Sequence, residues 1–236
     1  MESETKVKEE NISSIFTKIA SQYDIINSFI SFNQHRKWFH FAVSQMDLKF
    51  GQKALDVCCG TGVFAMEMAK EVGSNGQIVG LDFCENMLKV AQNKIDRGKH
   101  SSISLIKGNA MNLPFEDNQF DGAAIGFALR NVASIDKVLS EMCRVIKPGG
   151  TAAILDLAKP TTPLFKDVFY LYFNYIVPII GRIGVGYSGL YDWLPASLKD
   201  YPSPLQIKEK LLNAGFSNVY VYTLSLGIIT VHIGKK

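Results

Sequence analysis

The stretch LDVCCGTGVFA, residues 55–65, sets two kinds of chemistry side by side. Cys58 and Cys59 could bind a metal or exchange electrons. Gly60-Thr61-Gly62 could hold a nucleotide. A structural zinc site needs four nitrogen or sulfur ligands, with pairs usually about two to four residues apart. Cys58 and Cys59 are adjacent, so on a strand they would face opposite sides. Cys84 and Cys143 complete no CxxC pair. No metal is expected, and the cysteines read as small buried apolar residues of a reducing compartment.

The glycine reading is stronger. Gly60-Thr61-Gly62 follows an apolar run and opens an amphipathic one. Glycine lets the backbone turn tightly against a ligand, and a helix start offers free N–H groups. Ala65 completes a literal GxGxxA, the fingerprint of dinucleotide sites. Asp56 shifts that reading, because an anion inside the turn repels a pyrophosphate and attracts a cation. Asp82 ends the next apolar run, where a carboxylate can accept hydrogen bonds from ribose hydroxyls. Such an acid serves NAD and S-adenosylmethionine sites alike. S-Adenosylmethionine carries a ribose, an ammonium and a sulfonium but no phosphate, so it fits Asp56 better. An NAD-binding oxidoreductase is the alternative from another class. Gly108-Asn109-Ala110 ends the third apolar run. Asn109 is placed to bond an adenine edge or to close a turn.

These residues need elements to hold them. From Lys53 onward short apolar runs alternate with amphipathic ones. ALDVCC, QIVGLDF, ISLIKGNA, FDGAAIGFAL and TAAILDLA read as strands, with KPGG as a turn before the last. VFAMEMAKEV, ENMLKVAQNKI and SIDKVLSEMCRVI read as helices between them. Alternation of this kind predicts βαβ units and a parallel sheet, an α/β fold. LQIKEKLLNAGF predicts a helix stopped at Gly215, and VYVYTL with GIITVHIGK predicts an antiparallel pair. Residues 11–46 predict helices broken near Ser31–Asn33. Ile12, Ile15, Phe16 and Ile19 share one face. The division expected is a single domain over 1–236, with an N-terminal helical cap (11–48), a cofactor-binding core (49–159), an insertion (160–204), and a final helix and hairpin (205–236).

Composition excludes several classes. With 47% hydrophobic and 20% charged residues, the chain can bury a core, and disorder is not expected. A net charge of +3 gives no argument for nucleic acid. MESETKVKEE is acidic without an apolar segment, so neither a secretory signal nor a transit peptide is expected there. FYLYFNYIVPIIG is shorter than the roughly 20 residues a bilayer span needs. The expectation is a soluble, cytoplasmic protein that can touch the inner face of the membrane.

Longer motifs narrow the reading. LDVCCGTG, GLDF, GNAMNLPF, FDGAAIGFALRNV and RVIKPGG resemble the motif series of the class I S-adenosylmethionine-dependent methyltransferases. YDIINSFISFNQHRKW is similar to the N-terminal signature of the ubiquinone/menaquinone biosynthesis C-methyltransferase family (UbiE/MenG type), YDxMNxxLSxxxHxxW. LYDWLPASLKDYP and GIITVHIGKK resemble further blocks, and the likeness runs from about residue 12 to 236. The chain departs from that family at Ile26 (usually Met), Ile30 (usually Leu), Cys84 (usually Ser), Ala128 (usually Gly), Asp156 (usually Glu) and Ala158 (usually Ser). These small or like-charged changes leave cofactor binding intact and bear on which quinone is used.

The resemblance implies a Rossmann-like, mostly parallel seven-stranded sheet with an antiparallel C-terminal hairpin, an N-terminal helical extension and an aromatic lid. It implies S-adenosylmethionine-dependent C-methylation of a prenylated quinol in menaquinone or ubiquinone biosynthesis, with demethylmenaquinol to menaquinol first and a polyprenyl benzoquinol second. A same-fold enzyme acting on another small lipophilic molecule is the alternative. Asp56, Gly60, Thr61, Gly62, Asp82, Asn109, Ala110 and Gly126 would bind the cofactor. Arg130 and Asn131 would stabilise a phenolate, and Tyr23 and His35 would join them, His35 as a candidate base. The partners implied are the quinol, a membrane surface met by residues 160–204, and a second copy in a homodimer. The docking expectation rests on nine aromatics, Phe165, Phe169, Tyr170, Tyr172, Phe173, Tyr175, Tyr187, Tyr191 and Trp193, with Lys166, Arg182 and Lys199 attracting anionic lipid.

Overall fold

A computed structural model describes residues 12–160, 162–163, 165–180 and 193–236. The expectations for MESETKVKEE, Arg182, Tyr187 and Tyr191 lie outside these residues. Seven strands form one sheet, β1 (Lys53–Val57), β2 (Gln77–Asp82), β3 (Ile103–Lys107), β4 (Phe120–Gly126), β5 (Ile146–Leu157), β6 (Ser217–Leu224) and β7 (Ile229–Lys235). Their order is β3-β2-β1-β4-β5-β7-β6. The first five run parallel, and β7 pairs antiparallel with both β5 and β6. The α/β class, the parallel core and the terminal hairpin stand as expected. Central strands read as continuous apolar runs because both sheet faces are covered. Helices His35–Met46 and Val63–Val72 pack on one face, and Ile135–Val145 and Pro204–Asn213 on the other.

Three boundaries differ from expectation, each for a local reason. Cys58 lies in a turn after β1, with φ of +56°, and not on the strand. β4 stops at Gly126 because Phe127 also adopts the left-handed conformation, φ +56°. KPGG does not separate a helix from a strand. β5 starts at Ile146 and runs through it, and the register jumps between Phe120↔Ile146 and Gly122↔Thr151. Gly149, at φ +82°, absorbs that irregularity. The last helix has a capping box, Ser203 with Gln206, and Pro204 at its first turn.

The N-terminal segment forms helices over 12–19, Tyr23–Ile30 and His35–Met46. Left-handed Phe32 and Asn33 make the break expected near Ser31. The insertion forms helix Phe165–Leu171, which widens into a π-turn at Tyr172–Ile176. Tyr172 Oη donates to the Ile30 carbonyl at 3.0 Å, joining insertion to cap.

His232 on β7 is 1% exposed, and its Nε2 lies 2.9 Å from the Pro204 carbonyl. Burial pushes its pKa down to about 4. The unfolded chain, with an imidazole near 6.5, takes up a proton that the folded chain refuses. Stability therefore falls as pH drops from about 6.5 to 4, by up to about 3 kcal/mol from this group. Urea melts at pH 7 and pH 4.5 should show the loss, and His232→Gln should remove that part of it. An equal pH slope in the variant would refute the assignment.

Candidate functional site

A cavity of about 570 Å³ opens beside the C-terminal ends of β1, β2 and β4. The strand order reverses direction there, between β1 and β4, which is where open α/β sheets hold ligands. Its wall includes Asp56, Gly60, Thr61, Asp82, Asn109, Ala110, Gly126, Arg130, Asn131, Tyr23 and His35. The fold thus gathers eleven of the twelve residues expected at a site. Gly62 is one step behind the wall, at φ +78°, capping helix Val63–Val72.

Two carboxylates dominate the glycine-turn end. Asp56 is 1% exposed, and its Oδ2 accepts the Ala65 N–H at 2.8 Å. That bond ties β1 to the first turn of helix Val63–Val72. Asp82 is 5% exposed and accepts two backbone bonds, from Gly60 N and Cys84 N, both at 2.8 Å. Each carboxylate oxygen can accept a further bond. Burial raises both pKa values, and Asp82 adds to the rise at Asp56. No ion pair reaches either among the described residues. Two buried carboxylates without a cation make a site suited to a positively charged ligand with hydroxyls, as S-adenosylmethionine is. A pyrophosphate would meet both anions.

Other residues of the wall are held by local contacts. Asn109 Oδ1 accepts the Met111 N–H at 2.9 Å, so its carboxamide oxygen closes a turn although the side chain remains on the wall. The Thr61 hydroxyl donates to Asp24. Gly126 is glycine for packing, because an added Cβ would lie 2.8 Å from the rings of Phe39 and Phe64. Cys58 and Cys59 are thiols whose pKa burial pushes up, which leaves them unreactive. Among the described residues no group of three or more His, Cys, Asp or Glu is placed to hold a metal.

The opposite wall is aromatic and carries unusual polar atoms. The Arg130 side chain is 4% exposed and forms an ion pair with Asp156. It also donates to the Phe127 carbonyl at 2.8 Å, and its guanidinium lies 5.5 Å from the Trp193 ring centre. Arg130 was expected as a phenolate stabiliser, but one of its nitrogens is committed to these bonds, and its Nε has no partner. Asn131 is 7% exposed, and neither its Oδ1 nor its Nδ2 has a partner. Leaving both ends of a buried amide unbonded is costly unless something else fills the space. Burial raises the Tyr23 pKa, with Arg130 pulling it back, so the phenol stays protonated. His35 Nδ1 is 2.8 Å from Ser31 Oγ, and burial followed by Arg36 lowers its pKa, keeping a neutral imidazole. Trp38 packs against the core from the cavity wall and donates its Nε1–H to Ser225 at 2.9 Å. Sequence reasoning missed Asp24 and the Asp156 partner of Arg130. Asp24 was visible beside Tyr23 as an acid in a helix's first turn, whereas Asp156 gave no local signal.

Comparison with known proteins agrees with this arrangement. The ubiE/COQ5 methyltransferase family model matches residues 4–236. The demethylmenaquinone methyltransferase of Staphylococcus saprophyticus is 43% identical over 233 residues, covering 99% of each chain. That of Shouchella clausii is 42% identical, covering 97% of each. Among solved structures, a possible histamine N-methyltransferase from Thermotoga maritima aligns with a TM-score of 0.68 at 18% identity, over 94% of this chain and 98% of that one. A methyltransferase from Aquifex aeolicus aligns at 0.62 and 22%, over 83% and 88%. These two carry the fold alone, the seven-stranded Rossmann-like sheet. The match along nearly the whole chain, on relatives above 40% identity, places this protein in the ubiE/COQ5 methyltransferase family.

Proposed function

We propose that this protein transfers a methyl group from S-adenosylmethionine to a ring carbon of demethylmenaquinol, completing menaquinone. The observation that carries the reading is a single cavity joining two cation-free buried carboxylates to an aromatic wall with an unpartnered amide. The relatives' names supply the quinone class. S-Adenosylmethionine supplies an electrophilic methyl on its sulfonium, and the rest falls to this chain. Asp82 accepts the ribose hydroxyls, and Asp56 lends negative charge to the cationic end. Gly60, Thr61 and Ala110 shape the wall, and Gly62 permits the turn. The quinol carbon must become nucleophilic, which deprotonation of the adjacent hydroxyl achieves. Asn131 Nδ2–H and the Arg130 guanidinium favour that phenolate. His35, neutral near pH 7, is the candidate base, and Tyr23 holds the ring from the cap side. Residues 160–204 act as the substrate lid within one methyltransferase domain. Mixing the protein with S-adenosylmethionine and demethylmenaquinol should give menaquinol by mass spectrometry. Thermal stabilisation by NADH and none by S-adenosylhomocysteine would reject the reading.

The quinol resides in a bilayer, and no helix among the described residues is long and apolar enough to cross one. The reading includes a peripheral contact with that bilayer, supported by the exposed apolar side chains beside the cavity. The structure changes which side chains can make it. Phe169 and Phe173, counted as docking residues from composition, are buried and stack with centroids 5.0 Å apart. The exposed side of the insertion is Val168, Leu171, Tyr175 and Ile179, and the cap adds Ile25, Phe29 and Phe32. Phe32 and Tyr172 rings lie 6.0 Å apart, so the two patches adjoin at the cavity mouth. Arg36 and Lys37 are exposed just beyond Phe32 and suit an anionic surface, at about 1 kcal/mol each. Full burial of a Phe gives about 2 kcal/mol. Phe29→Ser with Phe32→Ser should therefore lower binding to anionic liposomes at least about tenfold, and lower kcat/KM for long-tailed quinols more than for tail-less ones. Equal liposome binding by this variant removes the contact. A homodimer remains part of the proposal, and sedimentation decides it.

A further inference from the structure

The helical cap and the glycine turn meet at one carboxylate. Asp24, in the first turn of helix Tyr23–Ile30, accepts a bond from Thr61 Oγ1 at 2.6 Å. Its other oxygen takes the Lys94 ammonium at 2.7 Å. Thr61 stands between the two glycines of the turn. Lys94 belongs to helix Glu85–Gly98, which begins three residues after Asp82. Asp24 thus joins the cap to both segments that hold the candidate cofactor site. Its helix neighbours Tyr23 and Asn27 line the cavity. The other ties of the cap nearby are neutral, Thr17 Oγ1 to Cys84 Sγ and Asn86 Nδ2 to the Thr17 carbonyl, each 3.5 Å, and at the far end of the helix Tyr172 Oη to the Ile30 carbonyl at 3.0 Å.

Asp56 and Asp82 line the cavity yet are almost wholly buried, so a ligand held by them is enclosed by the surrounding wall, the cap included. The helix Tyr23–Ile30 is suited to opening that wall. Its outer side chains Ile25 and Phe29 are 59% and 67% exposed, while Ile26 on its inner side packs in the core and serves as the pivot. We infer that Asp24 is a positioning residue, a latch that closes this helix over the glycine turn and sets the rate at which cofactor leaves. The inference rests on the cofactor reading above. The two bonds differ in kind. The Thr61 hydroxyl bond is short and charge-assisted. The Lys94 pair is partly exposed, with side chains 26% and 37% accessible, so salt screens it. Opening the cap breaks both together.

Stopped-flow release of S-adenosylhomocysteine from the full chain, at low and high salt, reads the latch directly. Asp24→Ala should speed release about tenfold or more. Thr61→Val should act in the same direction, and the double variant should add little to Asp24→Ala. Asp24→Asn keeps an acceptor for Thr61 and should fall between wild type and Asp24→Ala. Lys94→Gln, a change at a half-exposed position, should speed release about two- to fivefold and abolish the salt dependence. A residue that only props the fold would lower the melting temperature without this loss of salt dependence. Wild-type release rates in Asp24→Ala overturn the latch, as does an unchanged salt slope in Lys94→Gln. Should Asp24→Ala fail to fold, Lys94→Gln alone decides. If the wild-type protein binds no S-adenosylhomocysteine, the cofactor reading fails instead, before the latch is tested.

Discussion

Asp82→Ala should weaken S-adenosylhomocysteine binding by about two orders of magnitude, roughly 3 kcal/mol, in isothermal calorimetry. Two losses combine. The ribose hydroxyls lose a charged acceptor, a loss of roughly 1.5–3 kcal/mol for such a bond. The Gly60 and Cys84 N–H groups lose theirs too, so the glycine turn is released from the start of helix Glu85–Gly98. Asp82→Asn separates the parts. Its amide oxygen can still take one backbone N–H, but its NH₂ group cannot replace the second acceptor. Affinity should fall less than in Asp82→Ala, with the fold better kept. Asp56→Asn should behave otherwise, since Asp56 caps Ala65 and makes no bond to the glycines. It should keep the melting temperature near wild type and lose affinity through missing charge. Unchanged affinity in Asp82→Ala would remove Asp82 from the cofactor site.

Much of this site is legible in the sequence. The glycine turn and Asp82 lie within a few residues of strand ends, and a parallel sheet delivers every such end to one edge. Asp56, Gly60, Asp82, Asn109 and Gly126 therefore converge whatever the side chains do elsewhere. β4 and the second part of β5, from Thr151 on, are legible for a similar reason, as runs apolar on both faces, whereas the first part of β5 reads as a turn. The failures are of another kind. Left-handed Cys58 and Phe127 follow from how the chain must leave a strand beside a cavity, and nothing in a cysteine or phenylalanine announces that conformation. From Val168 to Ile180 every residue but Asn174 is apolar, so periodicity could not separate buried Phe169 and Phe173 from exposed Leu171 and Tyr175. The Arg130 partner is 26 residues away on β5, a pairing that only the adjacency of β4 and β5 creates.

That pairing sets the second large effect. Arg130→Ala should lower the melting temperature by about 10 °C as well as kcat. The Asp156 carboxylate is 1% exposed, and removing its cation leaves a buried charge, a cost of about 3–5 kcal/mol. For a chain of this length each kcal/mol shifts melting by about 2–4 °C. A fall in kcat alone would therefore not separate chemistry from damage. Arg130→Lys retains charge but cannot reach Asp156 and the Phe127 carbonyl from one planar group over Trp193. It should rescue stability in part and kcat poorly. The decisive variant is Arg130→Met with Asp156→Leu. Replacing both members of a buried pair by apolar residues of similar size is often neutral or stabilising. The double variant should regain most of the melting temperature and bind S-adenosylhomocysteine within about threefold of wild type, because the cofactor carboxylates are untouched. Its kcat should stay low, since no guanidinium then faces the phenolate. Recovery of kcat along with stability would show that Arg130 only holds the wall. The chemistry at the quinol would then rest on Asn131, whose amide has both ends free to meet a hydroxyl or its anion.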